Sequence, residues 1–176
     1  IMNTINSFAA SAEGSGVSQV DAYKVALNSF VEVVKVKAGA DATLDLTSVS
    51  DLELIKAQVI ADVTNASGIN TTAFNALADV TTTAIENVNT KIATATDLNS
   101  DTTKNIFSVT QVLNDQVKAA ALAEVSSPGS GTIAFTSSTE VDNASTNKTP
   151  TDITLSSTSI AENAESLVIG KLSTTD

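Results

Sequence analysis

Asp97, Asn99 and Asp101 stand at alternate positions and offer the first three oxygen ligands of an EF-hand-like calcium loop. Two later determinants of such a loop are missing, because its sixth position is Thr102 rather than Gly and its twelfth is Ser108 rather than Glu. The same residues also suit a second role, satisfying the first free amides of a helix. Asp41, Asp45 and Asp51 flank another loop and read either as a carboxylate cluster or as a solvated face. Asn65, Asn70, Asn143 and Asn147 each open an Asn-x-Ser/Thr triplet, a pattern that also arises by chance in a chain this rich in Asn and Thr. Beyond these, the chemistry is bounded by what is missing. The 176 residues contain no His, Cys, Arg or Trp, which removes Ser-His-Asp and Cys-His nucleophile pairs, thiolate redox centres and ordinary zinc sites. The expectation is a protein that is not an enzyme.

The charge balance excludes partners in the same way. Nine lysines oppose 20 acids, leaving −11, so phosphate neutralisation cannot supply affinity for nucleic acid, and anionic membranes repel the chain. Ser and Thr make up 46 residues and Asn 14, while Ala supplies 25 and aromatics only 3%. An acidic, cysteine-free chain rich in Thr, Ser and Asn fits a large bacterial surface protein. No apolar run exceeds a few residues (Ala119–Ala123 is typical), so no membrane span is expected. No basic, then apolar, leader is visible, and a start at Ile1 suggests a piece of a longer protein.

The elements that would carry these residues are mainly helical. Residues 1–16 end in Glu13-Gly-Ser-Gly16 and read as a flexible lead-in. Ser18 with Asp21 forms a capping box, and Val20, Tyr23, Leu27, Phe30, Val31 and Val34 follow on one helical face, with Gly39 as the stop. The β-branched crowding of Phe30–Val36 offers a competing strand. A second helix opens at Ser50-Asp51 with Leu52, Ile55, Val59 and Val63 aligned. A third, capped by Asn70 or Thr71, carries Phe74, Ala78, Thr81, Ile85, Val88, Ile92 and Ala95. A fourth, capped at Asn99–Asp101, carries Ile106, Val109, Leu113, Val117 and Ala120 to about Val125, before Pro128 and its neighbouring glycines stop it. The predicted fold is a four-helix bundle-like module over 17–126. A Ser/Thr/Asn-rich linker follows over 127–149, with a short strand at Ile133–Phe135. Period-two patterns at Ile153/Leu155 and Leu167/Ile169 begin a sandwich that the chain leaves incomplete.

The order Thr149-Pro-Thr-Asp-Ile-Thr-Leu155, Ser159-Ile-Ala-Glu-Asn163, Val168-Ile-Gly-Lys-Leu172 and Asp176 resembles the opening of a bacterial cadherin-like repeat. Two strands of some other Ig-like sandwich remain the alternative. The resemblance covers 149–176, the first third of such a domain, and implies Glu162 and Asp176 as calcium ligands at a domain junction. Lys148 departs from the family, which places acids before its linker proline.

Two functions follow as expectations. One is a structural or adhesive extracellular segment of a large bacterial surface protein, spacing or projecting other domains with calcium-stiffened junctions downstream. The other is a self-assembling fibre or surface-layer subunit whose β-tail pairs with a neighbouring chain.

Overall fold

Six helices and one strand pair make up the described part of the chain. The structure is a computed structural model that describes residues 1–97 and 99–145 (only the backbone of Asp101 and Thr102), and the backbone of 152–155 and 172–175. It divides into two compact units, 1–146 and 147–176.

The regular elements described in the first unit are all helices. Residues 1–16, expected to be a flexible lead-in, instead form α1 (Met2–Gly14), with Ile5, Phe8 and Ala12 wholly buried. The terminal glycines misled that expectation. Gly14 ends the helix where it passes α5, and a Cβ there would stand 2.4 Å from the Lys118 carbonyl oxygen. Gly16, at φ +112°, turns the chain against Gly68, whose carbonyl oxygen would meet an added Cβ at 2.7 Å. Both glycines serve close approach.

The next four helices follow the sequence closely. α2 (Gln19–Gly39) is capped by Ser18, whose hydroxyl accepts the Asp21 amide at 3.2 Å. The Phe30–Val36 stretch is helix, because the helical face outweighs local β-propensity. α3 (Val49–Thr64) buries Leu52, Ile55, Val59 and Val63. α4 (Thr71–Ala93) is capped by Asn70 and buries Phe74, Ala78, Thr81, Ile85 and Val88. α5 (Asp101–Ser126) is capped by Ser100 and buries Ile106, Val109, Leu113, Val117 and Ala120.

The remainder of 127–145 departs from expectation. Ile133 and Phe135 do not form a strand: they lie in an irregular segment, both buried, with the Phe135 carbonyl accepting from Asn87 Nδ2 at 2.9 Å. Their alternation reflects two anchors reaching into the helical core. The polar stretch read as linker contains α6 (Ser138–Ser145), whose Val141 is fully buried against α4 and α5. Two apolar residues in eight, Val141 and Ala144, gave too faint a periodicity to announce a helix.

α1 sits at the centre. It packs on α2, α4 and α5 and touches α3, while α2, α3, α4 and α5 contact one another in that order around it. Among the described residues, no direct α2–α5 contact closes the arc. The bundle is therefore a wrapped central helix, with an added sixth helix, rather than four helices around a shared seam.

In the second unit, β1 (Asp152–Leu155) pairs antiparallel with β2 (Leu172–Thr175), Asp152 opposite Thr175 and Leu155 opposite Leu172. The strand expected at Leu167 and Ile169 falls outside the described residues.

Candidate functional site

Of the acidic groups singled out by spacing, Asp97, Asp45 and Asp51 are engaged in local turns and contacts. The Asn99 amide donates to Asp97 Oδ1 at 2.9 Å, and the Ser100 hydroxyl accepts the Thr103 amide at 3.2 Å. Lys91, whose ammonium pairs with Asp142, lines the same hollow as Asp97 and Ser100. The capping role accounts for what is described of this loop.

Asp45 and Asp51 also work locally. Asp51 accepts from Lys37 Nζ and, at 2.7 Å, from the Asp45 amide. Asp45 accepts the amide and hydroxyl of Thr47 at 2.9 and 2.7 Å. The Lys37 ammonium, with the Asp45 amide beside it, holds the Asp51 carboxyl below its ordinary range. Asp41 stands apart with φ +51°. Among the described residues, no three His, Cys, Asp or Glu side chains converge as metal ligands. Glu162 and Asp176 lie outside the described residues.

Other polar side chains tie helices to one another. Asn89 on α4 accepts from Asn3 Nδ2 at 2.9 Å and donates to Thr4 Oγ1 at 3.0 Å and the Leu46 carbonyl at 2.9 Å. One amide thus joins α4, α1 and the loop before α3. Ser29 donates to Asp62 at 2.6 Å, Lys118 to Glu13 at 2.8 Å, and Lys56 to Asp79 at 2.7 Å. Burial works to lower the Lys56 pKa, but the Asp79 and Glu53 carboxylates overcome it and raise the pKa above the ordinary value.

No protein-family model, curated protein or solved structure matches this chain. Its chemistry has to be read from its own surface.

The feature that spacing alone did not place is on α2. Of the face expected to be core, Phe30 is buried, yet Val20, Tyr23, Leu27, Val31 and Val34 are 37–63% exposed. The face actually buried is Ala22, Ala26, Ser29, Phe30 and Val33. The small side chains on it, matched by Ala9, Ala12 and Ser11 on α1, let the two backbones draw together. The larger residues are left outward. Beside them, where the arc stays open, a groove of about 260 Å³ runs over Ala9 and Ala10, walled by Tyr23 on one side and Asn114 and Lys118 on the other. The signal available in the sequence was the second, small-residue face, offset by about a third of a turn. Ranking faces by residue size favoured the wrong one. No helix among the described residues is long and apolar enough to cross a membrane.

Proposed function

We propose that this chain is a structural segment of a large bacterial surface protein, a helical spacer ahead of cadherin-like repeats, working outside the cell to project and separate other domains. The observation that carries this reading is the distribution of the polar contacts. Asn89, Lys118, Lys56 and Ser29 each bridge separate helices, which resists sliding of one helix past another. A spacer needs that property. The composition, acidic and free of cysteine, supports an exported setting, and 149–176 supports repeats further on. Calcium enters only through that resemblance, at Glu162 and Asp176. The part played by the helical unit is to hold a fixed length between what lies on either side of it.

Antibody raised against the helical unit should label intact source cells without permeabilisation, and mild external protease should release the epitope. Labelling that appears only after the cells are opened would defeat the surface reading.

A further inference from the structure

We propose that the chain pairs with a second copy of itself through α2, the two helices running antiparallel about a two-fold axis at Leu27. This goes beyond the spacer role and does not depend on where the protein resides.

Val20, Tyr23, Leu27, Val31 and Val34 recur at intervals of three and four, so they form one stripe along four turns, about 21 Å long at 1.5 Å per residue. All five are exposed in the single chain. Elsewhere the exposed apolar residues form shorter runs: on α5, Leu122 and Val125 share a face, but Phe107 and Val112, five positions apart, do not. The α2 stripe is centred on Leu27. An antiparallel partner sets Val20 against Val34, Tyr23 against Val31, and Leu27 against its own copy.

The charges beside the stripe select the occupant. On that side of the helix Lys24 and Lys35 border the stripe and Asp21 and Glu32 stand further round, about 120–140° from Leu27, in the order minus, plus, minus, plus along the axis. Reversed, the order becomes plus, minus, plus, minus. An antiparallel copy therefore brings Asp21 opposite Lys35 and Lys24 opposite Glu32, with the centre between residues 28 and 28, one residue from the centre of the apolar stripe. A parallel copy would face every charge with its like. In the single chain these groups pair only along their own helix, Lys24 with Asp21 at 3.5 Å and Lys35 with Glu32 at 2.7 Å, all well exposed. Such exposed pairs are weak, so exchanging them for contacts across the axis loses little. The same patch on both copies gives a closed, isologous dimer. The partner helix would lie beside the open edge of the arc, where α2 and α5 do not meet among the described residues.

Sedimentation equilibrium on the full chain, up to about 100 μM, should give twice the 18.0 kDa chain mass. Leu27→Glu puts two carboxylates at the axis and should weaken association at least about 100-fold, with helical circular dichroism unchanged. Two further variants test the charges. Lys24→Glu with Lys35→Glu, and Asp21→Lys with Glu32→Lys, should each be monomeric alone and form a one-to-one heterodimer when mixed. The chain has no cysteine, so Leu27→Cys should cross-link on oxidation while Val20→Cys should not. A monomer at every concentration overturns the proposal, whether the stripe is then bare or covered by residues 147–176. A dimer indifferent to Leu27→Glu, as pairing through the β-tail would give, overturns it equally. Cross-linking at Val20 in place of Leu27 would overturn the antiparallel arrangement.

Discussion

At the residue scale, Glu124 shows how one acid can lock a turn. It accepts the amides of Gly129 and Gly131 at 2.8 and 3.1 Å, folding the segment after α5 back onto the helix, and these two donors hold its pKa below the ordinary 4.5. Gly131 has to be glycine here, since a Cβ would stand 2.7 Å from the Ala120 carbonyl oxygen. A carboxyl whose folded pKa is depressed contributes stability that is present above its unfolded pKa and lost as pH falls through the folded value. Glu124→Gln should therefore lower the melting temperature at pH 7, with the gap to wild type closing below about pH 4.5, the ordinary value. Thermal melts of both proteins from pH 7 to pH 2.5 read this directly, and a gap that stays constant would contradict it. Glu140 shares the arrangement, its pKa lowered first by the Thr136 hydroxyl and then by the Ser137 amide.

At the element scale, α1 makes the sharpest claim. Phe8→Ala, at a fully buried position on the central helix, should cost roughly 3–5 kcal/mol. Phe107→Ala, half exposed on α5, should cost a fraction of that. Chemical denaturation of the two variants compares them on one scale, and near-equal losses would contradict α1 as the core. Helices α2, α4 and α5 were legible because Ser18, Asn70 and Ser100 cap them where they begin, and α3, which has no side-chain cap, was legible from the spacing of Leu52, Ile55, Val59 and Val63. α1 was not, because its core side is built largely from Ala, Ser, Thr and Asn, residues that read as solvent-facing unless a neighbour comes close. α6 was hidden for the same reason. Of the candidate sites, the loop at Asp97 was legible as a cap. The α2 stripe was legible as a face, but which of two faces turns inward depends on the small residues of α1, far away in sequence.

At the scale of the whole molecule, the net charge of −11 and the absence of histidine set the response to solution conditions. No side chain at its ordinary pKa titrates between about pH 5.5 and 8, and the Ile1 amino group, which burial holds below its ordinary 8.0, adds a slight rise of the melting temperature with pH across that window. A pronounced slope there, read by calorimetry in buffers of matched ionic strength, would require a strongly shifted group that none of the described contacts provides. The central place of α1 also has a consequence in time. Its links to α5, Lys118 to Glu13 and Ser7 to Asn114, span 105 and 107 positions of chain. On the ribosome, α1 (ending at Gly14) emerges well before α5 (starting at Asp101), the helix it packs against most extensively. Until α5 follows, the apolar side of α1 has only part of its final cover, and α2 to α4 cannot supply the rest. Closing so long a loop slows folding relative to a bundle whose helices pair with their immediate neighbours. The nascent chain therefore carries its future core as an exposed, half-wrapped helix while the residues between α1 and α5 are made, the interval in which a chaperone or a neighbouring nascent chain has most opportunity to bind it.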